Sequence, residues 1–218
     1  MKKYFIYLFS FVLIFPFLLY AISFGIISEK TIKKAEAKYG GKVRNRYVAY
    51  NNLIVNLRNS DEKTKLEEVN NFFNYVPYSS DIKNWGKKDY WSTPLELLGK
   101  DKGDCEDYVI AKYFALKELG FDGSKMYFSY VKSKRFKGGH MVLSYFKTPT
   151  SIPLILDNTN YKVFPASKRK DLIPVYNFNA ESLYLASAQG RNNKRINKKM
   201  KVHKKWDRLI NDIKRNKL

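Results

Sequence analysis

Apolar residues recur close to the 3.6-residue period of a helix in three stretches of the chain. They predict one helix over residues 43–58, a second over 61–75 and a third over 105–119. Asp104 is a good N-cap for the third helix, and Gly120 supplies a stop signal after it. We expect the apolar stripe of each helix to face a common core.

The period changes to two in the following part of the chain. Alternating side chains predict a strand over residues 126–131, and two further strands follow over 140–146 and 152–158. If the last two strands form a hairpin with a four-residue loop, His140 lies directly opposite Asp157. Opposed residues point to the same face with Cβ atoms about 4.5–5.5 Å apart, so this register brings an imidazole to a carboxylate.

The segment Gly103–Tyr108, with the sequence GDCEDY, holds the only cysteine of the 218 residues. At the start of a helix, Cys105 feels the positive end of the helix dipole, which favours a reactive thiolate. Neighbouring carboxylates oppose this effect, because they raise the pKa of a thiol. They are Asp104, Glu106 and Asp107.

Two interpretations of these acids remain open. Acidic residues suit the first turn of a helix without any metal. Alternatively, a bound hard cation would remove the conflict with the thiol, and oxygen donors suit Ca²⁺ better than zinc. The loop Asp122–Ser124 could then add an oxygen ligand.

Cys105, His140 and Asp157 form a candidate catalytic constellation. In a thiol hydrolase the imidazole takes the proton of the thiol, and the carboxylate orients the imidazole. The alternative is structural, because a lone buried cysteine is more often a packing residue, and a histidine at a strand start is more often structural than catalytic. The other histidine, His203, lies in a basic segment and is predicted at the surface.

The net charge of +21 is compatible with nucleic acid, with an anionic membrane surface, or with a lysine-rich proteome. The lysines are spread along the whole chain and no nucleic-acid-binding motif is found, so no nucleic-acid partner is expected. An apolar content of 44% excludes a disordered chain. A single cysteine excludes an internal disulfide.

Both ends of the chain differ from its centre. Residues 4–27 form an apolar run after two lysines, which predicts either a cleaved export signal or an uncleaved membrane anchor. The last 28 residues hold 12 Lys or Arg and two acids. Within them a short amphipathic helix is predicted from Trp206, Leu209, Ile210 and Ile213. We therefore divide the chain into a signal peptide or anchor (1–28), one domain (29–190) and a basic C-terminal tail (191–218).

Several sequence blocks, read together, point to a known family. The most specific is GDCEDY, followed downstream by HMVL at 140–143 and LDN at 156–158. Further blocks lie at 69–74, 89–94 and 165–179. In these blocks the chain resembles the bacterial transglutaminase-like cysteine proteinases of the LapG type, and the resemblance covers about residues 45–185.

The resemblance implies an α+β fold with a papain-like or transglutaminase-like core, in which the nucleophile begins a helix packed on an antiparallel sheet. It also implies a role for each candidate residue. By resemblance, Cys105 is the nucleophile, His140 the general base and Asp157 the orienting acid. The resemblance also implies that Trp91 lies in a narrow substrate cleft or oxyanion site. The implied ligands of Ca²⁺ are Asp104, Glu106 and Asp107.

The implied function is that of a calcium-dependent periplasmic endopeptidase. Such an enzyme cuts a large surface adhesin near its N-terminus, at small, alanine-rich motifs, and so releases the cell from a biofilm. An inner-membrane receptor of cyclic di-GMP is the implied inhibitory partner, and membrane contact is expected only through the N-terminal segment. Two alternatives stay open: an acyl transferase acting on glutamine on the same fold, and a non-enzymatic exported protein that binds an anionic polymer.

Overall fold

The computed structural model describes residues 25–136, 138–180 and 197–218. The described helices are α1 (Glu29–Tyr39), α2 (Lys42–Leu57), α3 (Glu62–Asn74), α4 (Asp81–Trp85), α5 (Pro94–Lys100), α6 (Cys105–Glu118) and α7 (Asn197–Lys214). The described strands are β1 (Met126–Ser133), β2 (Gly138–Tyr145), β3 (Leu154–Asp157), β4 (Asn160–Pro165) and β5 (Leu172–Asn179).

The five strands form one antiparallel sheet in the order β4-β3-β2-β1-β5. Helix α6 packs against β2, and α3 packs against both α6 and β4. Large apolar side chains fill the space between the helices and the sheet, among them Tyr47, Phe73, Phe114 and Phe128. The predicted α+β fold, with the Cys105 helix packed on an antiparallel sheet, is confirmed.

Local signals set the helix boundaries close to where the sequence predicts them. Helices α2 and α3 begin and end within one residue of the predicted limits. Helix α6 begins at Cys105 after Asp104, and Gly120 beyond its end has a φ of +88°. Such a left-handed backbone favours glycine, which explains why the helix stops there.

The predicted register of the hairpin between β2 and β3 is wrong by two residues. The ladder pairs Leu143 with Leu156, which moves His140 away from the position directly opposite Asp157. Pro153 has no N–H to give to a ladder, so β3 starts later than predicted and the connecting loop is longer. A shift of two residues keeps every side chain on its face of the sheet, so the histidine and the aspartate still point to the same side.

Helix α7 has the predicted amphipathic pattern, and its apolar side chains pack into the core. Its buried apolar residues are Trp206, Leu209, Ile210 and Ile213. The ring of Trp206 stacks on Phe114, with centroids 6.0 Å apart, and Lys205 forms a salt bridge to Asp89. His203 is partly exposed on the same helix. The predicted basic tail therefore joins the folded domain from residue 197 on, while the proposed boundary at residue 190 lies outside the described residues.

Most of the predicted export segment, residues 4–24, also lies outside the described residues. Where the description begins, Ile27 is buried and the Ser28 side chain caps α1 by accepting the N–H of Thr31. Among the helices of the described ranges, none has both the length and the apolar character to cross a membrane.

Candidate active site

The predicted nucleophile begins α6 at a point where two distant segments touch. Gly103, just before the helix, forms a parallel backbone bridge with Tyr78. A Cβ atom on residue 103 would come within 2.4 Å of the Leu97 side chain and 2.9 Å of the Asp107 carboxylate, so glycine lets these two side chains pack against the segment before α6. The bridge between Gly103 and Tyr78 holds Asp81, at the start of α4, beside the GDCEDY segment.

The Cys105 thiol donates a hydrogen bond to the Glu106 carboxylate, with Sγ and Oε2 2.8 Å apart. Burial raises the pKa of Cys105, the charge of Glu106 raises it further, and a hydrogen bond to the backbone of Met141 acts in the opposite direction. The predicted conflict between the thiol and its acidic neighbours is thus present in the structure. Because Met141 follows His140 in β2, the same contact places the thiol beside the strand that carries the histidine.

His140 and Asp157 are in direct contact and are both buried, with Nε2 and Oδ1 2.9 Å apart. Burial alone would raise the pKa of Asp157, but hydrogen bonds from His140, from the Thr159 N–H and from Arg169 outweigh it and lower that pKa. An ionised carboxylate only accepts hydrogen bonds, so Nε2 carries a proton, and in the neutral form of the ring Nδ1 keeps its lone pair. The contact therefore selects the tautomer of the neutral imidazole in which Nδ1 can act as a base.

Arg169 is a further partner of this pair that sequence reasoning missed. Its Nη2 donates to Asp157 Oδ2 over 2.7 Å and to Asp171 Oδ2 over 2.8 Å, and its Nε donates to Asp171 Oδ1 over 3.0 Å. The side chain is buried, with an exposed fraction of 4%. A buried guanidinium between two carboxylates keeps both ionised and fixes the plane of the Asp157 carboxylate. A single arginine in a polar connection carries no periodic signal that could have revealed this contact.

Of the three predicted metal ligands, Asp104 lies close to Glu106 in one group of side chains and to Asp107 in another, and the structure adds a fourth carboxylate, Asp81, to the group with Asp107. The residues form two groups, and within each group one ligand atom of every residue lies within 4.8 Å of the ligand atoms of the other two. The first group is Asp81, Asp104 and Asp107, and the second is Asp104, Cys105 and Glu106. Asp81 comes from a separate helix, so sequence spacing gave no sign of it. Asp122, considered as an additional ligand, belongs to neither group and instead accepts the N–H of Ser124 over 2.8 Å.

The chemistry of this cluster fits a hard divalent cation. Among the described residues, Oδ1 of Asp81 and Oδ1 of Asp104 are buried and find no hydrogen-bond partner. Burial raises the pKa of both groups, and for Asp104 repulsion by Glu106 and Asp107 adds to this effect. Buried carboxylate oxygens without partners are costly unless a cation or a proton satisfies them, and clustered carboxylates suit Ca²⁺. The group of Asp81, Asp104 and Asp107 can therefore hold the predicted ion, with Glu106 close to Asp104.

Trp91, predicted in the substrate cleft, is buried beneath α7. The residue is 2% exposed, and its ring stacks on Phe178 with centroids 6.0 Å apart. On the side of α7, the Lys205 Nζ lies 5.2 Å from the ring centroid, and Arg208 donates to the Trp91 carbonyl over 2.7 Å. In this structure the ring faces the core and α7 instead of an open cleft wall, and a role toward substrate stays a prediction.

Lys112, on the same helix as Cys105, is completely buried, which sequence reasoning also missed. Burial lowers the pKa of its amine from 10.5 to about 7, although the negative charge of Asp157 acts in the opposite direction and raises that pKa. The Lys112 Nζ lies 5.9 Å from the centroid of the Tyr108 ring. Because the unfolded chain has the higher pKa, it binds more protons between these two values. The contribution of Lys112 to the free energy of unfolding should therefore rise with pH across that window and stay level outside it.

We expect the wild-type protein to gain stability over Lys112→Met as the pH rises from about 7 to about 10, with a slope of up to about 1.4 kcal/mol per pH unit. Urea unfolding of both proteins at a series of pH values measures the difference. Lys65→Met is a matched control, because Lys65 is only partly buried and donates to the Leu119 carbonyl over 3.2 Å. A difference between wild type and Lys112→Met that stays constant with pH would contradict the expectation.

The family model described as bacterial transglutaminase-like cysteine proteinase matches residues 46–173. The chain belongs to this family. Its only cysteine is Cys105, so the thiol of this family member lies at the first position of α6.

Solved structures of Legionella pneumophila LapG are similar to this fold. One is 38% identical and covers 85% of this chain and 96% of its own, with a TM-score of 0.68. A calcium-bound LapG structure is 43% identical over 71% of this chain and 86% of its own, with a TM-score of 0.63. An EGTA-treated LapG structure is 37% identical and covers 85% of this chain and 96% of its own, with a TM-score of 0.68. No match was found among curated protein sequences. The predicted LapG-type resemblance is confirmed.

Proposed function

We propose that the protein is a calcium-dependent cysteine endopeptidase that acts in the periplasm on a large surface adhesin. The observation that carries the proposal is the buried contact of 2.9 Å between His140 Nε2 and Asp157 Oδ1. The residue that follows His140 in β2 is Met141, and its backbone forms a hydrogen bond with the Cys105 thiol. In a cysteine proteinase family member with a single cysteine, the nucleophile has one candidate.

The residues can divide the reaction between them. His140 accepts the thiol proton of Cys105 through Nδ1, while Asp157 holds the ring by Nε2 and stabilises the imidazolium. The Cys105 thiolate attacks the carbonyl carbon of the scissile peptide bond, and the imidazolium then protonates the leaving amine. Water hydrolyses the thioester and restores the thiol. Arg169 acts through Asp157, because it keeps that carboxylate ionised and oriented.

The acidic cluster supplies the calcium site of the proposal. The ligands would be Asp81, Asp104, Glu106 and Asp107. When bound, the ion would supply positive charge that offsets the carboxylates beside the thiol. A calcium-bound structure of LapG supports this choice of metal.

The substrate, the partner and the compartment rest on the family resemblance. We infer that the protein cuts its adhesin near the N-terminus at a small, alanine-rich motif and that an inner-membrane receptor of cyclic di-GMP restrains it. The apolar run at residues 4–27 supports export, with or without retention as a membrane anchor. Release of cells from a biofilm would follow from adhesin cleavage.

Incubation of the purified protein with the N-terminal fragment of the adhesin from the same cell tests the proposal. We expect cleavage at one region in calcium, and none after EGTA treatment. Incorporation of a fluorescent amine into glutamine side chains without cleavage would instead indicate an acyl transferase. Neither reaction, together with salt-sensitive binding of an anionic polymer that Cys105→Ala leaves unchanged, would indicate a binding protein.

The fourth carboxylate of the cluster gives a separate prediction. We expect Asp81→Asn to weaken calcium binding by at least about tenfold, because it removes one charge from the ligand set. Calorimetric titration of EGTA-stripped protein measures the affinity. Asp122→Asn is the matched control and should bind calcium like the wild type, since Asp122 lies in a separate turn. Equal affinities in all three proteins would remove Asp81 from the ligand set.

A further inference from the structure

Lys112 stands seven residues after Cys105 on α6, so the two side chains leave the helix on nearly the same face. Its Nζ donates to Oδ1 of Asn70 over 2.8 Å and to Oδ1 of Asn74 over 2.6 Å, both on α3. The lysine and both asparagines are buried. A methionine would fill a similar volume without the cost of removing an amine from water, so packing alone does not account for a lysine here.

The two asparagines extend this contact to the turn that follows β3. Nδ2 of Asn74 donates to the carbonyl of Asp157 over 2.9 Å and to that of Asn160 over 3.1 Å. Nδ2 of Asn70 donates to the carbonyls of Asn160 over 3.0 Å and Tyr161 over 3.2 Å. These bonds hold the backbone of residues 157–161 against α3. The same turn carries the carboxylate that contacts the histidine ring.

Lys112 determines which way both amides point. The lysine amine donates and the backbone carbonyls of the turn accept, so each asparagine must present its oxygen to Lys112 and its NH₂ group to the turn. Without the amine, the oxygens of Asn70 and Asn74 would be buried and unpaired, and nothing would favour this orientation of the amides. The bonds to the Asp157 carbonyl would then weaken.

We propose that Lys112, Asn70 and Asn74 form a positioning unit for the reaction. The unit joins the helix that carries Cys105 to the turn that carries Asp157, and it thereby holds the thiol and the imidazole in one geometry. The inference rests on the proposed function and deepens it. None of the three residues touches the reacting atoms; they act through the backbone of the turn.

Steady-state kinetics of Lys112→Met and Lys65→Met, in calcium, provide the first test. We expect Lys112→Met to lower kcat about 10- to 100-fold with KM within about twofold of the wild type, because a small displacement of catalytic groups slows chemistry more than binding. Lys65→Met should leave both constants unchanged. Asn74→Leu should resemble Lys112→Met, and the double variant should be no slower than the slower single variant, since both changes break one path.

A second readout does not need activity. The chain contains two histidines, so ring signals of selectively labelled His140 and His203 can be assigned with the variant His203→Gln. We expect Lys112→Met to shift or broaden the signals of His140 and to leave those of His203 in place. Lys65→Met should change neither set. If Lys112→Met does not fold, Asn74→Ser takes its place, because it keeps the bond between Lys112 and Asn70.

The outcomes separate this inference from the proposed function. A wild-type protein that cleaves no adhesin fragment would contradict the proposed function, and the His140 signals would still test the positioning unit. A folded Lys112→Met with wild-type kcat and wild-type His140 signals would overturn the inference. Additive losses in the double variant would overturn it too, because they would mean that Lys112 does not act through Asn74.

Discussion

Cys105→Ala is expected to abolish peptide-bond cleavage and to leave the fold in place. The loss of activity should be at least about 10⁴-fold, as for removal of the nucleophile in other hydrolases. No other thiol exists in the chain to take over, and the side chain lies at the start of a helix, where alanine is well tolerated. Cleavage of the adhesin fragment, followed by gel electrophoresis and mass spectrometry, measures the effect.

Two controls separate the loss of the nucleophile from damage to the site. Calcium binding by Cys105→Ala should match that of the wild type, since the four carboxylates remain. Cys105→Ser keeps a group that can donate to Glu106, and it should be nearly as inactive as the alanine variant, because a hydroxyl is a far weaker nucleophile here. Cleavage by Cys105→Ala within tenfold of the wild-type rate would exclude the thiol as nucleophile.

Arg169→Met is expected to cost about 3–5 kcal/mol in the free energy of unfolding, because it leaves the buried Asp157 carboxylate without its cationic partner. Asp171 loses the same partner, at 2.8 Å in the folded protein. Activity should fall as well, since the Asp157 carboxylate would be free to turn away from His140. Urea unfolding and adhesin cleavage, both in calcium, measure the two effects.

A matched control for Arg169 exists on the surface. Arg44 also binds two carboxylates, at 2.6 Å from Glu29 and 2.8 Å from Glu36, but its side chain is 36% exposed. Water and salt screen such pairs, so Arg44→Met should destabilise the protein far less and leave activity unchanged. Equal losses of stability in the two variants would show that burial of the Arg169 pair adds nothing.

Much of the fold could be predicted because its signals are local. The limits of α2, α3 and α6 follow from apolar stripes and end signals that a few neighbouring residues supply. The face that His140 shares with Asp157 follows from the strict alternation of a strand, and for this reason it survived an error of two residues in the predicted register.

Contacts between distant segments could not be predicted in the same way. Asp81 joins the acidic cluster because the backbone bridge between Tyr78 and Gly103 brings its segment to the start of α6. Arg169 contacts Asp157 although a strand and a turn separate them in the chain, and Lys112 on α6 contacts Asn70 on α3. Asn70 and Arg169 lie in the sequence blocks at 69–74 and 165–179, but neither block indicates which residue they contact, because each contact depends on how complete elements pack.

The sequence by itself determined the family, the α+β class, the single candidate nucleophile and the position of that thiol at the start of a helix. These properties depend on residue identity and short-range spacing. The tertiary structure alone decided the hairpin register, the burial of Trp91 beneath α7, the fourth carboxylate and the buried groups that hold Asp157 in place. Those properties depend on loop lengths and on the desolvation of charges, which arise only when segments far apart in the chain are packed against one another.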